Sequence, residues 1–323
     1  MTAKELFFKT MCFNWLRLGL GMVTILISLI LLALCLGLGW LFGSEGMGVM
    51  FLVWLGGTGA IRLALMHYCG YMIKAGHVAI LARAVNEGAV PANQVQEARQ
   101  MVTERFLNAN VYFAVDKLVD GAVRELQRYV EKAGNFLNAV PGVEWLVKGV
   151  NFFLSIALGY IDECCLGYTF IRKEQNAFKS AADGVVIYYK NWKVLLKDAA
   201  WTALTVIGLT LGVTLVVFVV FGGLFKVFGW SHYIAFFLAL FVALAVKFAF
   251  IDSWILVKMM TTYMQAVPQT TIPFDLYGEL SNYSNKFREL YQRGIQEMNP
   301  TSQPGAAGAG GEQTSPFDPA SVA

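Results

Sequence analysis

Residues 18–42 read LGLGMVTILISLILLALCLGLGWLF, a run without one charged side chain. Roughly 20 apolar residues of α-helix cross a bilayer core, so the run is long enough to span. Its apolar residues occupy every helical face, which suits lipid or a protein interior and not a half-wet surface. Outward from it, residues 199–225 are equally free of charge, and two further runs are long enough to span but are interrupted. Residues 47–73 carry Arg62 and His67, and residues 233–257 carry Lys247 and Asp252. The chain is 57% hydrophobic and 15% charged, with a mean hydropathy of +0.54. Soluble domains are about 25% charged. The expected fold class is all-α: a polytopic membrane protein with four spans and cytoplasmic amphipathic helices, its first partner the lipid bilayer.

MTAKELFFKTMCFNWLR at the N-terminus has the basic residues of a signal-peptide n-region. The apolar stretch after it is too long and no small-residue cleavage site follows, so an uncleaved first helix is expected. Cys12, Cys35, Cys69, Cys164 and Cys165 are odd in number and lie in or beside apolar segments. They read as reduced packing or lipid-facing residues and not as a disulfide framework. The formal charge of +3 and the lack of a basic stripe interleaved with aromatics give no expectation of a nucleic-acid partner.

The basic residues report orientation instead. Lys4, Lys9 and Arg17 precede the first run, and residues 74–148, residues 172–197 and the positions Lys286, Arg288 and Arg293 are rich in Lys and Arg. The loops after Phe42 and Phe225 are poor in both. The positive-inside rule places both termini and these stretches in the cytoplasm, for an integral protein of the plasma membrane or an inner membrane. Residues 150–171, VNFFLSIALGYIDECCLGYTFI, have the length of one crossing, yet both flanks belong inside. A re-entrant or interfacial element fits, as does one arm of a hairpin whose other arm lies within residues 106–130.

The domain reading follows. A first membrane helix pair (1–90) leads to amphipathic cytoplasmic helices (91–149), in which Val111, Val115, Leu118, Val119, Ala122 and Leu126 recur at helical spacing among charges. Such helices lie on the inner membrane surface or pack under the bundle. Next come the partly embedded segment with a cytoplasmic linker (150–198), a second helix pair (199–267) and a C-terminal amphipathic helix (268–298). The tail, 299–323, is rich in Pro, Gly, Ala and Ser and is expected to be disordered.

AVKFAFID (245–252) set under AIRLALMH (60–67) aligns Ala60 with Ala245, Arg62 with Lys247, Ala64 with Ala249 and His67 with Asp252. Asn14-Trp15 precedes the first run as Asn191-Trp192 precedes the third, and Val90-Pro91 and Ile272-Pro273 each lead into an amphipathic helix. An internal duplication is expected, with parallel repeats about an axis along the membrane normal. Chance likeness between apolar segments is the competing explanation.

Cys165-Leu166 is followed after nine residues by Asn176-Ala177-Phe178, Ser180-Ala181 leads to Lys190-Asn191, and an apolar run ends in Ile251-Asp252-Ser253-Trp254-Ile255. In these motifs and their order, residues 105–267 resemble the C-terminal half of the choline transporter-like solute carriers. The chain departs from the pattern in a cysteine cluster reduced to Cys164-Cys165, in Lys179 where the family has an apolar residue, and in lacking several N-terminal spans. The resemblance implies transport of a small organic cation such as choline.

Candidate pathway residues are the ionisable groups within apolar segments: Asp162, Glu163, Asp252, Lys247 and Arg62. Five residues turn an α-helix by about 500°, leaving Lys247 and Asp252 about 140° apart, so each is expected to find a partner on another element. Lys247 and Arg62 also read as exit positions whose stems reach the inner surface. Quaternary ammonium ligands sit on aromatic faces, which makes Tyr160, Tyr168 and Trp254 the aromatic candidates; aromatics equally belong to interfacial belts. His67 and His77 lack partners at metal-ligand spacing, and no phosphate loop, nucleophile elbow or carboxylate pair occurs. No metal, cofactor or catalytic residue is therefore expected, and no enzymatic activity. Half a transporter encloses little cavity by itself, which points to a homo-oligomer. The alternative expectation is a non-transporting membrane scaffold or regulator.

Overall fold

The computed structural model describes residues 1–106, 109–134, 159–228, 239–240 and 242–298. The expected disordered tail lies outside the described residues, as do 150–158 and 229–238. The fold is all-α, with no strand among the described residues.

The short helix α1 (Ala3–Lys9) begins with a reciprocal cap: Thr2 Oγ1 accepts from Glu5 N–H at 3.3 Å and Glu5 accepts from Thr2 N–H at 2.9 Å. Next, α2 (Met11–Leu41) and α3 (Gly43–Leu65) form an antiparallel hairpin around Phe42, where Gly43 takes φ +73°. Met11–Leu41 and Glu45–Leu65 are long and apolar enough to cross a membrane, by length and composition. Few of their side chains are inside the protein; Leu26, Leu34, Leu52 and Leu55 are all exposed. The polar groups of the pair are turned inward, with Ser28 Oγ 3.0 Å from Thr58 Oγ1 and Trp54 Nε1–H donating to Ser28 O at 2.9 Å. Inter-helical hydrogen bonds of this kind hold helices together where no hydrophobic drive exists between them.

A π-helical turn, Met66–Gly70, joins α3 to α4 (Tyr71–Glu87), which ends on Gly88 at φ +75°. Then come α5 (Gln94–Arg105), α6 (Ala109–Gly134) and α7 (Ile161–Ile171). The helix α8 (Ala177–Phe228) has 52 residues, about 78 Å at 1.5 Å per residue. A second π turn, Lys247–Ile251, feeds α9 (Asp252–Ala266), and α10 (Asp275–Tyr283) and α11 (Asn285–Met298) close the chain.

The core is a helical body built from α4 to α11. In α7 every residue from Glu163 to Phe170 is buried, and α4 buries Ala75 to Ala82 without a break. Helices apolar on all faces have no wet side to offer, and here both are central: α4 packs on α5, α7 and α9, and α7 on α4, α6, α8 and α9. Of the placements open to residues 150–171, the described portion is thus an interior helix of this body, with α6 beside it. In α6 the expected apolar stripe, Val115, Leu118, Val119, Ala122 and Leu126, is buried against the body. Each such side chain contributes roughly 1.5–3 kcal/mol on full burial.

Two features differ from the sequence reading. The C-terminal amphipathic segment is two helices, because Ser284 is extended (φ −136°, ψ 118°) and its Oγ accepts from Phe287 N–H at 2.9 Å, capping α11. The boundary between linker and second membrane pair falls inside α8, one continuous rod. Its early residues, Ala181, Ala182, Val185, Val186 and Ile187, are buried in the body, whereas Leu211, Leu215, Val216 and Val219 beyond them are exposed.

Candidate functional site: a charged cavity between two π turns

Where apolar helices meet the body, both connections pass through π turns. In a π turn the backbone bonds run i→i+5, so residues five apart come into register. Asp252 N–H accordingly bonds to Lys247 O, and Lys247 Nζ lies 2.6 Å from Asp252 Oδ1. The expectation that these two find separate partners is corrected: it assumed α geometry, and the π turn removes the angular offset. Lys247 therefore spends its ammonium on Asp252 and not on a lone exit toward the surface.

The pair lines a cavity of about 800 Å³ bounded by α2, α3, both π turns, α4, α6, α7, α9 and Gly159-Tyr160. Its basic side chains are Arg17, Arg62, Lys74 and Lys247; its carboxylates are Asp116, Glu163 and Asp252. An aromatic wall completes it: His67 stacks on Phe113 at 4.2 Å between centroids, and Tyr71 lies 5.0 Å from the same ring.

Lys74 Nζ is 2.7 Å from Glu163 Oε1 and 3.7 Å from Asp162 Oδ2. The two acids occupy the first turn of α7, where the partial positive charge of the helix favours them. One positive charge cannot neutralise both. Burial, followed by the Glu163 charge, pushes the Asp162 carboxyl well above the carboxylate range. Burial works against Glu163 too, but Lys74 outweighs it and its pKa is lowered. Asp162 is the member that takes a proton. Burial also raises Asp116, whose Oδ1 has no hydrogen-bond partner.

Arg17 is 6% exposed, and its one hydrogen bond is from a guanidinium NH to Ser253 Oγ at 3.0 Å. Among the described residues no carboxylate is within ion-pairing distance of it. Arg62 is exposed toward the same cavity and likewise has no ion pair.

Of the sequence candidates, Arg62, Lys247, Asp252, Glu163 and Tyr160 come together at this cavity, and Asp162 joins through Lys74. Tyr160 lies beside Asp252 on the same wall. Tyr168 is buried inside the body, and Trp254 points to another cleft, edge-on to Phe7 at 5.4 Å between centroids. The three aromatics do not converge on one cage. Arg17, Lys74 and Asp116 were missed, the first two because they read as flanking charges that set orientation.

The residues that carry the family resemblance serve as joints. Asn176 Oδ1 accepts from Lys179 N–H at 2.8 Å, capping α8, while its amide donates to Gly294 O at 2.6 Å. Ser180 accepts from Arg105, Lys190 donates to Thr271 O at 2.8 Å, and Asn191 donates to Thr270 Oγ1 at 2.8 Å. Cys164 and Cys165 are packed in the body and free, with burial pushing both thiols up. Compared with protein-family models, curated proteins and solved structures, the chain finds no match.

Proposed function

We propose that this chain is a multi-pass integral membrane protein of the plasma membrane or an inner membrane, solute-transporter-like and not an enzyme. The proposed spans are α2, α3, the exposed apolar part of α8 and the segment entering the second π turn, with both termini cytoplasmic. The exposed leucines and valines of these helices need an apolar medium, which supports the reading. A π turn falls within or just after each of AIRLALMH and AVKFAFID, offset by four aligned positions, which lends the duplication weak support.

The observation that carries the functional reading is that cavity: about 800 Å³, lined by charges of both signs and placed where the spans enter the body. Intramembrane and boundary charges around a cavity mark solute pathways. A small organic cation such as choline would replace Lys247 at Asp252, with Tyr160 supplying the aromatic face. The choline transporter-like resemblance supports that version. Against it, Tyr168 and Trp254 lie elsewhere and the carboxylates already hold lysines. This pairing favours the second reading, a membrane scaffold whose charges lock the spans to the body. A homo-oligomer belongs to the transport reading.

Uptake of labelled choline and a panel of small charged solutes into proteoliposomes tests the reading. Flux above empty liposomes, reduced by Asp252→Ala, Glu163→Ala or Asp162→Ala, is the expected result. No flux for any solute would leave the scaffold.

A further inference from the structure

The charge pattern of the cavity is uneven. Glu163 and Asp252 are matched by Lys74 and Lys247. Asp116 is the remaining carboxylate on the wall, and burial raises its pKa. Among the described residues neither Arg17 nor Arg62 makes an ion pair, and the charges of Glu163 and Asp252 reach Arg17 only from beyond contact distance. A guanidinium that no carboxylate contacts keeps N–H donors for an anionic ligand. Arg17 is 6% exposed, and among the described residues its hydrogen bond goes to a neutral hydroxyl, Ser253 Oγ. Guanidinium groups of this kind match the oxygens of a phosphate.

A second cavity of about 220 Å³ adjoins the first and shares Arg62 and Phe248 with it. Its walls are mainly apolar, with Ile25, Leu29, Trp54 and Leu244 among them, and Thr24, Ser28 and Thr58 add hydroxyls. It runs between α2, α3 and residues 244–248. A basic chamber that continues into an apolar groove matches an amphiphile with a negative head. A free anion would leave the groove unfilled.

On the reading that α2 and α3 lie in a bilayer, we infer that the joined cavities hold an anionic phospholipid, its phosphate against Arg17 and Arg62 and one acyl chain in the groove.

The test uses the full-length protein in detergent with an equimolar mixture of phosphatidylglycerol and phosphatidylcholine of matched acyl chains, read by native mass spectrometry. Phosphatidylglycerol should be enriched in the bound lipid. Arg62→Gln, at an exposed position, should weaken the adduct about tenfold, the loss expected for one charged hydrogen-bond partner. Arg17→Gln should do the same, and its melting temperature reports whether it remains folded. Gly59→Leu fills the groove, and its Cβ meets no atom within 4 Å. It should reduce phosphatidylglycerol binding while leaving binding of soluble glycerol 3-phosphate unchanged. Equal binding of the two lipids, or enrichment that survives Arg62→Gln, overturns the inference. Glycerol 3-phosphate binding as tightly as the lipid, with Gly59→Leu silent, overturns the lipid as occupant. Lipid adducts without solute flux leave this inference standing and remove transport; flux in pure phosphatidylcholine vesicles without adducts does the reverse.

Discussion

Lys247 and Asp252 meet at 2.6 Å, Nζ to Oδ1, because the backbone between them is a π turn. The pair is partly wet, with the Lys247 side chain 39% exposed, so it adds little stability, about 1 kcal/mol or less. Lys247→Met and Asp252→Asn should therefore each change the unfolding free energy by no more than that, while Asp252→Asn lowers solute flux. The exchange Lys247→Asp with Asp252→Lys should restore the melting temperature and not the flux. A large loss of stability in the single variants, measured by thermal unfolding in detergent, would make the pair a structural lock and count against a pathway role.

How much of this was legible beforehand follows from the kind of signal each feature leaves. Apolar runs such as residues 18–42 declare themselves by length, and the stripe of Val115, Leu118 and Leu126 by period. Both are local patterns. The π turn leaves no such mark, since its sequence, KFAFI, would suit an α-helix equally well. Arithmetic at about 100° per residue therefore separated two residues that touch. Arg17 and Ser253 are 236 positions apart, and only the tertiary fold brings them together. Arg17 and Lys74 looked like orientation charges because a charge at the end of an apolar run has that meaning until a cavity is found beside it. The interior position of α7 was open for a related reason: buried helices and membrane segments are apolar in the same way.

Asp162 should oppose folding near neutral pH. Its carboxyl is raised in the folded state, so the native protein holds this proton more tightly than the unfolded chain. The associated stability is present below the ordinary carboxylate pKa and is lost as pH rises toward the folded value. Asp162→Asn, which needs no proton, should be neutral or stabilising at pH 7 and should flatten that dependence. Glu163→Gln should do the opposite, because its lowered pKa contributes stability above the ordinary carboxylate range. Melting temperature against pH for the two variants checks the assignment, and identical profiles would refute it.

His77 gives a pH effect of the other sign. It is fully buried, stacked on Phe13 at 4.9 Å between centroids, with Nε2 3.0 Å from Thr10 Oγ1. Thr10 donates its own proton to Leu6 O at 2.8 Å, which makes His77 Nε2–H the donor and leaves Nδ1 bare. Burial, and then the charge of Arg17, holds the imidazole well below its usual pKa of 6.5. Unfolding releases a histidine that protonates, so stability should fall as pH drops below about 6.5. In His77→Gln that decline should be weaker, though the variant loses the ring stacking and starts from a lower melting temperature. Direct titration by NMR should find His77 neutral at pH 6.

Gly184 fixes the approach of α8 to α7. A Cβ there would stand 3.0 Å from Cys165 Cα and 3.1 Å from its carbonyl oxygen, backbone atoms that cannot rotate away. The Tyr263 hydroxyl donates to Gly184 O at 2.9 Å, tying α9 to the same point. Gly184→Val should force the helices apart at a cost of about 1–3 kcal/mol, the usual range for overpacking. Its second effect is chemical. Cys164 and Cys165 are buried with raised thiol pKa values, so their thiolates are scarce and maleimide labelling should be slow in the native protein. Separation of α7 from α8 should speed it, with Gly212→Ala as the comparison because its Cβ meets nothing within 4 Å. Peptide mapping of the labelled protein distinguishes Cys164 and Cys165 from the exposed Cys69. Unchanged labelling and an unchanged melting temperature in Gly184→Val would mean that α7 and α8 do not meet at this contact.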